Sequence, residues 1–220
     1  MAVYAVRQGH QIGKFNTWED CQQATKGYSG AEFKKFSTIE EADRYLAGED
    51  ILDTISYPEV AKDDEIILYV DGSYDKNKVL YGAGVVAITS KGTVELKGCD
   101  DEVHFCGMQS IAGELLATAI GVTYAVQKGY KNITLCYDNI GIKEWTKHGT
   151  YRRNKEGTIA YRNFMDTMEE DFDLKFTFVH VKGHSKIKYN ELADRLAKSS
   201  IVQNKRVDTT KYLEIGGVYA

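Results

Sequence analysis

The chain has 220 residues, 43% of them hydrophobic and 27% charged, with a formal net charge of −4. This composition supports a buried core and excludes a disordered or fibrous chain, and the length suits an average domain plus a small module. No apolar run approaches the roughly 20 residues of a membrane span, and the opening MAVYAVRQGHQIGK lacks an apolar signal core, so a cytoplasmic protein without a membrane partner is expected. Cys21, Cys99, Cys106 and Cys136 form no C-x-x-C pair, and all four are expected to be reduced.

Charge is unevenly spread. Residues 1–47 carry six Lys/Arg against six Asp/Glu, residues 48–65 one against seven, and residues 66–220 twenty-one against nineteen. The acidic stretch holds the only proline, Pro58, and shows no sustained period. It reads as a linker over 48–65 between a domain at 1–47 and a second at 66–206, with 207–220 as a tail. Residues 182–206 contain seven basic side chains against Glu191 and Asp194, so a local basic face is compatible with the negative total.

In chain order, Val3–Arg7 and Ile12–Phe15 read as a hairpin, and Thr17 caps a helix that runs to about Lys26. A strand over Ala31–Phe36 and a helix from Ser37-Thr38 to Leu46 complete a β-β-α-β-α module. The second segment opens with the buried run Ile66–Asp71, which places Asp71 at a strand end. Strands over Ala83–Thr89 and Thr93–Lys97 follow, then a helix over Ser110–Gln127 that carries Glu114. A strand over Asn132–Asp138, helices over Ile140–Lys147 and Thr158–Glu170, a strand over Leu174–Val181 and a helix over Tyr189–Ser199 finish the pattern. The fold class is α/β, a five-stranded mixed sheet with flanking helices behind a small β-β-α-β-α domain.

Asp71, Glu114, Asp138 and Asp194 stand out by placement. Carboxylates gathered at one point repel and take up protons unless positive charge compensates them, and hard divalent cations with oxygen ligands do so. Each acid taken alone has a plain alternative: Asp71 and Asp138 as turn residues, Glu114 and Asp194 as solvated helix residues.

The order and context of the four acids resemble the type 1 ribonuclease H family over residues 66–200. The motifs are Leu68-Tyr69-Val70-Asp71-Gly72-Ser73, Ala112-Gly113-Glu114-Leu115-Leu116-Ala117, Leu135-Cys136-Tyr137-Asp138-Asn139, and Val181-Lys182-Gly183-His184-Ser185 leading to Asn190-Glu191-Leu192-Ala193-Asp194-Arg195-Leu196-Ala197. The resemblance implies the ribonuclease H-like fold and an endonuclease that hydrolyses the RNA strand of RNA–DNA hybrids, leaving 5′-phosphate and 3′-hydroxyl ends. It implies Asp71, Glu114, Asp138 and Asp194 as ligands of two Mg²⁺ ions about 4 Å apart, with Mn²⁺ as a substitute. It further implies His184 as a mobile-loop proton carrier; the local reading of His184 is a loop residue bonded to backbone. Where several family members place Thr-Asn-Asn, this chain has Met108-Gln109-Ser110, and Gln109 and Ser110 are the candidates for contacts there.

Residues 3–46 are similar to the hybrid-binding domain related to the viroplasmin module of caulimoviruses. Tyr4-Ala5-Val6-Arg7, Gly13 with Phe15, Thr17-Trp18 with Cys21, and Phe33-Lys34-Lys35-Phe36 carry the likeness. It implies that Trp18 and Phe33 stack on deoxyribose, that Lys34 and Lys35 meet phosphates and that Tyr4 adds a polar edge; Phe36 reads as core, and Trp18 stays open between core and surface. Arg152-Arg153-Asn154-Lys155, with Lys147 and His148, is either a DNA-strand contact or a solvated loop. The expected partner is an RNA–DNA hybrid, with double-stranded RNA as a second candidate and no obligate protein partner. Two other readings remain open: a hybrid or double-stranded RNA binding protein in which cleavage is secondary, and a nuclease of this fold acting on DNA junctions.

Overall fold

The structure, a computed structural model, describes residues 3–36, 38–48, 57–153, 155–182 and 187–213. The chain divides into two compact units, Met1–Tyr57 and Pro58–Ala220.

The front unit runs β1 (Val3–Gln8), β2 (Gly13–Phe15), α1 (Trp18–Thr25), β3 (Glu32–Phe36) and α2 (Ile39–Leu46), with an antiparallel sheet in the order β2-β1-β3. Thr17 begins α1 by accepting a hydrogen bond from the Asp20 backbone N–H at 3.2 Å. Ser37, expected at the start of the second helix, lies outside the described residues. Because strand side chains alternate, the sheet has two apolar faces. One packs Val6 with Cys21 and Ala24 of α1, and the other packs Val3, Ala5 and Phe36 with Ala42 of α2. Phe36 is core, as its sequence context indicates.

The second unit begins with the meander β4 (Glu65–Asp75), β5 (Leu80–Thr89) and β6 (Gly92–Asp100). It continues through α3 (Val103–Cys106), α4 (Ser110–Gln127), β7 (Asn132–Tyr137), α5 (Gly141–Glu144), α6 (Glu156–Glu170), β8 (Lys175–His180), α7 (Lys188–Val202) and α8 (Thr209–Leu213). The five-stranded sheet has the order β6-β5-β4-β7-β8, antiparallel from β6 to β4 and parallel from β4 through β7 to β8. The mixed sheet with flanking helices is the architecture expected from the sequence. Pro58 and Ala61 belong to this unit: Tyr69 donates its hydroxyl hydrogen bond to the Pro58 carbonyl at 3.0 Å, and Ala61 is buried.

Three expectations change. Asp71 is in mid-strand, because β4 stays paired with β5 from Ile67 opposite Ile88 to Asp75 opposite Leu80, and Gly72-Ser73 makes no turn. The helix expected over Ile140–Lys147 is only the turn Gly141–Glu144. The segment after 206 also has a structural role. Thr209 donates its backbone N–H to Asp100 at 2.8 Å and accepts the buried Tyr81 hydroxyl at 2.7 Å, fastening α8 beside the meander.

Helix α4 is apolar on nearly every side and buried from Ala112 through Thr123, so it serves as the central support of the sheet. Its approach depends on Gly72: a Cβ there would lie 2.4 Å from the Glu114 backbone nitrogen. On the other face, a Cβ on Gly84 would lie 2.0 Å from the Ala193 carbonyl oxygen of α7. These two glycines set the spacing of the helices that bear Glu114 and Asp194. We predict that Gly84→Ala forces α7 outward and costs roughly 1–3 kcal/mol. The check is a lower urea midpoint with an unchanged slope; an unaltered midpoint would show that α7 is not seated as described.

Candidate active site

The parallel register sets two of the acids side by side. Tyr69 of β4 lies beside Cys136 of β7, and two residues farther along each strand come Asp71 and Asp138, turned to the same side by the period of two. Asp71 also stands opposite Gly84, so its side chain is on the α7 side of the sheet. Glu114 reaches the same place from the second turn of α4, over Gly72. One carboxylate oxygen from each of Asp71, Glu114 and Asp138 lies within 4.8 Å of the others.

Asp71 is 8% exposed and Glu114 6%, while Asp138 is half-buried. Burial pushes the Asp71 carboxyl up to about 7; the Asp138 charge adds to this, the Gly72 backbone N–H opposes it from 2.7 Å, and Asp194 raises it further. Burial also drives Glu114 well above the usual carboxylate range, reinforced by the charges of Asp71 and Asp138. Glu114 Oε2 is buried with no hydrogen-bond partner. An acceptor without a donor, among other carboxylates, is costly unless a cation completes it. The donors are all oxygens, which suits a hard divalent cation of the Mg²⁺ or Mn²⁺ type.

The acids open onto a pocket of about 470 Å³ that is also lined by Ser110, Ile187, Asn190, Asp194 and Arg195. Asp194 thus shares the pocket but stands outside the tight trio, and its Oδ2 accepts a hydrogen bond from Lys198 Nζ at 2.7 Å. Asn190, part of a motif to which sequence reasoning gave no separate role, is 6% exposed with its Oδ1 unpartnered. Ser110 is exposed at the mouth of the pocket. Gln109, also exposed, precedes α4 with φ 55° and ψ −126°, a left-handed φ that disfavours any side chain. His184 lies outside the described residues.

In the front unit, Tyr4, Trp18 and Phe33 form a chain of rings with 5.7 Å between neighbouring centroids, and Lys35 Nζ lies 5.9 Å from the Tyr4 ring centre. Trp18 is 42% exposed and Phe33 41%. Alternation puts Lys34 on the opposite face, with Phe36, so Lys34 and Lys35 do not form one patch. Near α6, Lys147 and His148 both engage Glu169, at 3.1 and 2.9 Å, and Arg153 donates to the Trp145 carbonyl at 3.3 Å. Part of the basic segment is therefore paired within the chain.

The raised Asp71 carboxyl has a signed consequence. The unfolded chain releases this proton near 4, whereas the folded protein keeps it to about 7, so the folded state binds more protons between those values. Through this group, stability in chelator falls as pH rises from about 4 to about 7, and the Glu114 carboxyl, also raised, acts in the same direction. We predict that Asp71→Asn flattens this slope and raises the metal-free melting temperature at pH 7.5 by on the order of 5 °C. Calorimetric melts across pH test both effects; an unchanged slope would contradict the electrostatic account.

Residues 63–202 match the family described as RNase H, and residues 2–46 match the one described as Ribonuclease H1 N-terminal domain. Ribonuclease H1 of Mus musculus is 23% identical over an alignment of 260 positions, covering 92% of this chain and 90% of that protein. Ribonuclease H of Saccharomyces cerevisiae is 46% identical over 43 residues, 20% of this chain and 12% of that protein. The crystal structure of RNase H1 from the archaeon Halobacterium salinarum superposes with a TM-score of 0.52 at 20% identity, covering 63% of this chain and 98% of that one, a likeness of fold. With a family match over more than half its length, on a fold shared with solved RNase H1 structures, the chain belongs to the RNase H family.

Proposed function

We propose that this protein is an endonuclease that hydrolyses the RNA strand of RNA–DNA hybrids, with the front unit holding the substrate. The observation that carries the reading is the convergence of Asp71, Glu114 and Asp138 within 4.8 Å around a buried, unpartnered Glu114 oxygen. Asp71, Glu114 and Asp138, with Asp194 across the same pocket, would hold two divalent cations, Mg²⁺ or Mn²⁺. Such cations supply charge neutralisation for the scissile phosphate and favour ionisation of the attacking water.

The chain's own groups do the rest. Glu114 fixes the floor of the pocket because α4 is buried and seated on Gly72. Ser110 and Gln109, at the start of α4, present hydrogen-bonding groups where a minor groove displays 2′-hydroxyls, the feature that separates RNA from DNA. His184 would carry a proton during turnover, and product ends would be 5′-phosphate and 3′-hydroxyl. In the front unit, the exposed rings of Trp18 and Phe33 offer stacking surfaces and Lys35 a phosphate contact; Lys34, on the other face, would meet the backbone only from that side. Double-stranded RNA is a second ligand for this surface, and a cytoplasmic location accords with the sequence.

In the full chain, Asp138→Asn is expected to lower Mg²⁺-dependent cleavage of end-labelled hybrid by about 10²-fold or more while hybrid affinity stays within a few-fold. Trp18→Ala should weaken hybrid binding by about tenfold. Cleavage undiminished by Asp138→Asn would overturn the assignment of the reaction to this pocket, and a wild type that cuts no hybrid would overturn the nuclease reading. Equal cutting of an all-DNA duplex would overturn the substrate.

A further inference from the structure

Helix α7 carries two parallel rows one residue apart. Ala193 and Ala197 face the sheet, where their backbones lie against Gly82 and Gly84. Asp194 and Lys198 form the neighbouring row at i, i+4, with the acid on the N-terminal side, the favourable order for such a pair. Asp194 lines the acidic pocket, and its Oδ2 is held by Lys198 Nζ at 2.7 Å. The Lys198 charge also reaches Asp71, where it offsets part of the repulsion that Asp138 and Asp194 impose. Lys198 is therefore a fixed cation on Asp194, whereas Asp71, Glu114, Asp138 and Glu191, which line the same pocket, are in no ion pair among the described residues.

We propose that Lys198 competes with a divalent cation for the Asp194 carboxylate and so sets the cation concentration at which the pocket fills. The proposal rests on the reading of the pocket as a divalent-cation site. With Asp194 held by the ammonium, the close trio of Asp71, Glu114 and Asp138 is left for a first dication, with Glu191 and Arg195 adding opposite charges on the pocket wall. A second dication gains the Asp194 carboxylate only when Asp194 leaves Lys198. The ammonium stands 64% exposed and its partner 37%, so the pair is held weakly enough to be opened by a cation and strongly enough to weaken its binding. Arg195 and Glu191 line the same pocket with opposite charges and are in no ion pair among the described residues, so they contribute to the background field rather than to this competition.

The test is calorimetric titration of Mg²⁺ and Mn²⁺ into the full-length wild type, Lys198→Met, Lys198→Arg, Asp194→Asn and the Asp194→Asn/Lys198→Met double variant, with melting temperature as a second readout. Lys198→Met is expected to tighten the weaker binding step about two- to fivefold, and Lys198→Arg, which keeps the ion pair, to leave it within about twofold. In the Asp194→Asn background, Lys198→Met should tighten cation binding clearly less than it does in the wild type, because the carboxylate in contention is gone and only the weaker field of Lys198 at Asp71 is removed. A wild type that binds cations while Lys198→Met binds them no better would overturn the competition and leave the cation site standing. Tightening of undiminished size without Asp194 would also overturn it, by showing a through-space charge effect alone. A wild type that takes up neither cation, with no heat and no change in melting temperature, would overturn the cation site and the competition together.

Discussion

The structure depends on a repulsion that it does not relieve by itself. Three carboxylates from β4, α4 and the end of β7 converge where two of them are almost wholly buried, and one Glu114 oxygen has no donor. Burying like charges is among the most expensive arrangements a fold can hold, so the surrounding packing must be rigid enough to keep them together. Rigidity comes from the parallel pairing of β4 with β7, which sets Asp71 and Asp138 abreast, and from the buried helix α4, which has no exposed face on which to drift. The glycines at 72 and 84 let the two helices close on the sheet from opposite sides. One cause thus bears on both the proposed function and stability: the crowding of acids that suits the pocket to cations is the same charge that opposes the fold.

The fourth acid stands under a different condition. Asp194 is half-buried with its own counter-ion, while the trio, two of its members almost wholly buried, has none in an ion pair among the described residues. The pocket is therefore graded, with an uncompensated anionic floor and a charge-paired carboxylate at its margin. The front unit solves a separate problem with separate means. Its sheet is short of apolar mass, buries Phe36 and leaves Trp18 and Phe33 partly in solvent, with a lysine beside them. Surface aromatics beside a cation suit the smooth sugar face of a duplex better than they suit a core.

Much of this was legible in the residues. The buried runs ending at Asp71 and Asp138, and the helical spacing around Glu114, place each acid on its element; that the acids meet in one pocket is implied by the resemblance of their motifs to the ribonuclease H family, because period and burial give a face but not the order of strands in a sheet. Asp71 was nonetheless assigned to a strand end, since Asp-Gly-Ser has turn chemistry; the antiparallel partner β5 overrides it and keeps β4 extended to Asp75. Lys34 and Lys35 are both expected to meet phosphates, although adjacent strand residues face opposite ways. The binding of Thr209 to Tyr81 and Asp100 has no local signal, because it joins segments distant in the chain. Asn190 stood in a motif in plain view, but only its burial and unpaired oxygen mark it as part of the pocket wall.

The most direct test is to follow the side-chain carboxyl carbons of Asp71 and Glu114 by ¹³C NMR through a pH titration of the full chain, in chelator and in millimolar Mg²⁺. The account predicts that in chelator both titrate far above the ordinary carboxylate range, Asp71 near 7, and that Mg²⁺ moves both midpoints down. Midpoints near 4 in chelator, unmoved by Mg²⁺, would mean that these oxygens do not share one anionic pocket.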